Sequence, residues 1–120
     1  MRYFFDTYAL IEITKNNPNY VKYSDEIVST TMFNLVELYY SILRDFGQEK
    51  AKDVYFKFKE CTIQANDNII FEAMKLKLSN KKLSYVDCIG YCCALKGSMN
   101  FLTGDKEFKD MQSVEFVKSL

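Results

Sequence analysis

The chain has 120 residues, 48% hydrophobic and 27% charged, with 16 basic and 16 acidic side chains that cancel. That length predicts one domain, 1–120, with room for a buried core, and the composition excludes a disordered chain. No apolar stretch reaches the roughly 20 residues of a membrane span, the first residues do not read as a signal peptide, and zero net charge gives no general pull on nucleic acid.

In chain order, Arg2–Phe5 is a short apolar run that reads as a strand. Asp6-Thr7 then signals the cap of a helix continuing through Ala9–Ile13. Asn16-Asn17-Pro18-Asn19 breaks that helix, and Pro18 is placed to start a short following one. Glu26–Thr30 alternates and is β-branched, a second strand. Thr31–Phe46 has helical spacing and is apolar nearly all round, which predicts a buried helix. Its narrow polar stripe of Asn34, Glu37, Ser41 and Arg44 would then line a cleft. Gly47 ends it.

Gln48–Glu60 is a second amphipathic helix, and Cys61–Ala65 reads as a third strand. Asn66-Asp67 caps a helix from Asn68 to Leu78. Residues 75–82 carry four lysines and no acid, a run that suits a solvated face or the guidance of a phosphate backbone. Ser84 opens a helix running to Lys96, in which Gly90 and Ala94 are small enough for close approach to a sheet. Ser98–Leu102 is a fourth strand, Thr103-Gly104-Asp105 a turn, Lys106–Met111 a short helix and Val114–Val117 a fifth strand. Cys61, Cys88, Cys92 and Cys93 form neither a disulfide framework nor a zinc pattern, and the chain has no His. A cytoplasmic protein with small apolar cysteines is expected.

Strands alternating with helices predict an α/β fold, a central parallel sheet of about five strands covered on both faces. Ligands of such sheets bind outside the carboxyl ends of the strands, where the strand order reverses. In a 3-2-1-4-5 order, Asp6 and Asp105 share that crevice. Glu37 and Asp87 lie on helices that face it. Singly, each carboxylate has a structural use: Asp6 and Asp105 as helix caps, Asp87 in a capping box with Ser84, Glu37 in a solvated stripe. Together they would be costly unless a divalent cation neutralised them.

Four stretches resemble the PIN-domain ribonucleases, most closely the VapC-like toxins of type II toxin–antitoxin modules. They are Tyr3-Phe4-Phe5-Asp6-Thr7-Tyr8-Ala9-Leu10-Ile11, Thr31-Met32-Phe33-Asn34-Leu35-Val36-Glu37-Leu38, Leu83-Ser84-Tyr85-Val86-Asp87-Cys88-Ile89-Gly90-Tyr91 and Phe101-Leu102-Thr103-Gly104-Asp105-Lys106-Glu107-Phe108. Residues 44–75 match only as helix, strand and helix. The resemblance implies a three-layer fold and a metal-dependent endoribonuclease. Asp6, Glu37, Asp87 and Asp105 would be its catalytic residues and the ligands of Mg²⁺ or Mn²⁺, with Thr103 an accessory site residue and Thr7 a weaker candidate. It also implies an RNA substrate, a homodimer, and a cognate antitoxin laid across the cleft. The nine tyrosines and ten phenylalanines offer contact area for such partners. Three other readings are a PIN nuclease of RNA maturation or quality control without an antitoxin, a receiver-like phosphoacceptor domain using Asp67, and a scaffold that binds RNA without cutting it.

Overall fold

Strand β1, Tyr3–Phe5, is apolar and buried at every position because the sheet it belongs to is covered on both faces. The computed structural model describes residues 2–119, so Met1 and Leu120 of the expected 1–120 domain lie outside the described residues. Three further strands follow: β2 (Val28–Ser29), β3 (Asn100–Thr103) and β4 (Val114–Phe116). All pairings are parallel, in the order β2-β1-β3-β4. The helices are α1 (Thr7–Thr14), α2 (Met32–Phe46), α3 (Gln48–Lys59), α4 (Asp67–Ser79) and α5 (Tyr85–Lys96), with 3-10 turns at Pro18–Tyr23 and Lys106–Phe108.

The period-two alternation of the strands divides the core. Tyr3, Phe5 and Leu102 pack with Leu10 of α1, Leu35, Leu38 and Ile42 of α2, and Val54 and Phe58 of α3. Phe4 and Phe101 face the other way, against Ile69 and Ala73 of α4 and Ile89 and Ala94 of α5. This is the expected three-layer arrangement. Gly90 makes the α5 contact possible, since a Cβ there would stand 2.9 Å from the Phe4 ring.

The fold corrects three expectations. Among the described residues the sheet has four strands rather than five, because Cys61–Ala65 contributes a single parallel bridge, Thr30 to Thr62, beyond the end of β2. β2 is only two residues long and offers little ladder to extend, and Asn66 soon caps α4. Secondly, α2 is not buried all round: Leu35, Leu38 and Ile42 face the core, while Val36 and Tyr40 are 62% and 63% exposed. Thirdly, the short helix expected over Lys106–Met111 is a 3-10 turn ending at Phe108, and Thr103 closes β3 rather than opening a turn.

Candidate active site

β1 and β3 are neighbours at the centre of the sheet, with β2 and β4 extending it in opposite directions. The reversal of strand order therefore falls between them, the place where sheets of this kind bind their ligands. Asp6 follows β1, and its backbone N–H donates to the Leu102 carbonyl of β3 at 3.2 Å. Its carboxylate accepts from the Ala9 N–H at 2.9 Å, capping α1 as sequence reasoning allowed. Asp105 lies two residues beyond the end of β3; its N–H donates to the Thr103 hydroxyl oxygen at 3.0 Å and its carboxylate caps the turn at Glu107 N. Gly104 between them has no room for a side chain, because a Cβ would stand 2.1 Å from the Tyr8 ring. Asp87 makes the reciprocal capping box with Ser84, at 2.9 and 3.0 Å.

Electrostatics ties these residues together. Burial drives the Asp6 carboxyl up to about 8; Thr103 and the Ala9 N–H pull it back, and the charges of Asp87 and Asp105 push it further. Burial also raises Asp87; hydrogen bonds from Ser84 oppose it, Asp105 adds to it and Lys77 lowers it. Glu37, half-buried on α2, is raised by burial, lowered by the Thr7 hydroxyl and raised by Asp87. The three Asp are thus close enough to repel one another, and Glu37 feels Asp87. Among the described residues the ion pairs are Arg44–Asp45 and Lys75–Glu72, so none of the four carboxylates is in an ion pair, and the one cation that acts on them is Lys77, on Asp87.

A polar chain unforeseen as a unit orients Glu37. Thr31 donates to the Asn34 side-chain carbonyl at 2.6 Å, Asn34 donates to the Thr7 hydroxyl at 3.1 Å, and Thr7 donates to Glu37 at 2.6 Å. Asn34 and Thr31 are buried. The amide occupies the Thr7 oxygen as a donor, so the single Thr7 proton is directed to the carboxylate. The sequence signal was Asn34 one turn before Glu37 on the same face, read there only as part of a stripe.

The donor set is all oxygen, which suits a hard divalent cation and no soft one. Among the described residues no three acidic, His or Cys side chains are gathered tightly enough to grip an ion directly. Mg²⁺ keeps several waters and is held through one or two carboxylates, so the uncompensated cluster fits it. The receiver-like reading fares worse, because Asp67 stands exposed at the first turn of α4. A groove of about 550 Å³ between α4 and α5 is lined by residues such as Ile69, Leu76, Tyr91 and Leu95 and by none of the four carboxylates. All four cysteines are free, with Cys88 and Cys93 buried, and burial pushes their thiols up, as expected of packing residues.

A sequence model of the PIN domain matches residues 3–114. A search of curated proteins finds no significant match. Several solved structures share the fold. A toxin–antitoxin complex from Klebsiella pneumoniae aligns with 16% identity over 98% of this chain and 98% of that one, with a TM-score of 0.78. The Mycobacterium tuberculosis toxin VapC20, which cleaves the sarcin-ricin loop, aligns with 16% identity over 96% and 98%, TM-score 0.78. VapBC2 from Rickettsia felis, bound to a DNA fragment from its promoter, aligns with 14% identity over the whole of both chains, TM-score 0.74. At these identities the likeness is one of fold.

Proposed function

The chain belongs to the PIN domain family, and on that premise we propose that it is a divalent-metal-dependent endoribonuclease acting in the cytoplasm as the toxin of a toxin–antitoxin pair. The observation that supports this reading is that Asp6, Asp87 and Asp105 act on one another's charge, that Glu37 and Asp87 do likewise, and that among the described residues none of the four is in an ion pair.

In this reading one or two of the four carboxylates would hold Mg²⁺ or Mn²⁺ directly and the others through its waters; such an ion would supply activated water and neutralise charge developing on the scissile phosphate. The chain's own contributions follow from its geometry. Asp6, 3% exposed, is fixed by its hydrogen bond from Ala9. Thr7 and Asn34 set the rotamer of Glu37. Thr103 holds the Asp105 backbone and stands against the Asp6 carboxylate.

The toxin assignment is supported by similar structures that are toxin–antitoxin complexes. It is supported too by the exposed apolar stripe of Met32, Val36, Tyr40 and Leu43 on α2, the helix that carries Glu37. Phe71 and Leu78, seven residues apart on α4, are exposed as well, apolar area that a second copy pairing as a homodimer would cover.

The test compares RNA cleavage by the wild type and by Asp6→Asn in Mg²⁺ or Mn²⁺, alongside growth of cells expressing each. The wild type should cut RNA and arrest growth, chelation should abolish cutting, and Asp6→Asn should lose on the order of 100-fold or more. Equal cleavage by the two proteins would sink the mechanism. Cleavage without growth arrest, and without a protein from the adjacent gene copurifying, would leave the nuclease and remove the toxin.

A further inference from the structure

The α4–α5 connection is the basic run noted in the sequence, Lys75 to Lys82, with four lysines and no acid. Lys75 is engaged by Glu72 at 3.5 Å. Lys77, Lys81 and Lys82 have no carboxylate within ion-pair distance among the described residues. Lys77 organises the segment: it donates to the Lys81 carbonyl at 2.9 Å and its ammonium stands 5.4 Å from the centre of the Tyr85 ring. Tyr85 is the first residue of α5 and is 64% exposed. Asp87 lies two residues on, and Lys77 is near enough for its charge to act on that carboxylate.

A solvated lysine face alone would explain the charges but not the ring. An exposed aromatic beside one such cation, next to a segment that carries two more, offers a base a stacking surface and offers the adjoining phosphates their counterions. Lys77, whose charge reaches Asp87, also sets positive against negative there, so a polyanion is attracted to one side of that carboxylate and repelled by the carboxylate itself.

We propose that Lys77, Lys81, Lys82 and Tyr85 form a shelf for single-stranded RNA, with one base stacked on Tyr85 and neighbouring phosphates against the lysines, leading the strand to the Asp87 side of the acidic cluster. The proposal rests on the ribonuclease reading and adds to it the path of the substrate.

The experiment measures binding of a short fluorescein-labelled oligoribonucleotide of mixed sequence by anisotropy, at several salt concentrations, in the Asp6→Asn background that prevents cutting. Tyr85→Ala should weaken binding about 5- to 100-fold while Tyr85→Phe retains it. Lys81→Gln with Lys82→Gln should flatten the slope of log K against log salt by about 1.4, the value for two lost phosphate contacts on a single strand. In the otherwise wild-type protein the same changes should raise KM and leave kcat. Because all these side chains except Lys77 are exposed, thermal melts of the variants should match their parent.

Unchanged binding and salt slope in both variants overturns the shelf, as does equal loss in Tyr85→Phe and Tyr85→Ala. Displacement of the RNA by polyglutamate at equal charge overturns it in favour of an acidic protein segment. A wild type that cuts RNA while the variants keep its KM removes the shelf alone; a wild type that neither binds nor cuts RNA removes the ribonuclease reading as well.

Discussion

Asp6 carries two roles that substitution can separate. As a cap it needs only a side-chain acceptor for the Ala9 N–H, which Asn also supplies. As a buried acid held up at about 8, against an ordinary 3.8, it binds a proton in the folded protein that the unfolded chain releases. The metal-free fold is therefore favoured below the unfolded value and loses that contribution as pH rises through about 8. Glu37 and Asp87 shift in the same direction. Asp6→Asn should flatten the decline of stability between about pH 4 and 8 and raise the metal-free melting temperature at pH 8, while abolishing metal binding. Asp6→Ala should show the same flattening but sit about 1 kcal/mol lower, through the lost cap. Thermal melts across pH in chelator separate the two; a pH profile of Asp6→Asn identical to the wild type would mean that the acid is not strained.

At the level of elements, the position of Asp87 depends on how closely α5 lies on the sheet. Phe4 is stacked on Phe101 at 5.7 Å and is fully buried, so its ring cannot retreat from a Cβ at Gly90. Alanine gains about 1 kcal/mol of helix propensity over glycine, and overpacking costs about 1–3 kcal/mol. Gly90→Ala should therefore be destabilising on balance, by about 1 kcal/mol in urea denaturation, and should weaken Mn²⁺ binding as α5 is lifted away. Unaltered Mn²⁺ affinity in a destabilised variant would separate α5 packing from the metal centre. Most elements and their limits were legible in the residues: caps at Asp6, Asn66 and Ser84 all accept the hydrogen bonds expected of them, and Thr31, read as the start of its helix, caps it. The failures have a common cause. Cys61–Ala65 has strand-like residues, yet a strand also needs a partner edge, and β2 is too short to provide one. In α2, two apolar stripes are equivalent by periodicity, and only packing chose Leu35, Leu38 and Ile42 for the core.

For the molecule as a whole, metal and stability are linked. A cation that binds the folded cluster and not the unfolded chain stabilises by about 2.7 kcal/mol at 100 times its Kd, several degrees of melting temperature for a domain of this size. Calorimetry with Mn²⁺ and with chelator should show that shift in the wild type and not in Asp6→Asn; an equal shift in both would place the ion elsewhere. No helix among the described residues is long and apolar enough to cross a membrane.

From its residues alone the chain specified alternating strands and helices, their caps, the family resemblance and four acids in order, because propensity, capping and spacing are local properties. It also identified Gly90 as a point of close approach. Tertiary structure decided what depends on pairing and burial: that β1 and β3 lie side by side, that Asp6 is shielded from water, and that Asn34 and Thr7 hold Glu37. Those are relations between segments distant along the chain, and no local pattern encodes which of several compatible neighbours a strand or helix face will meet.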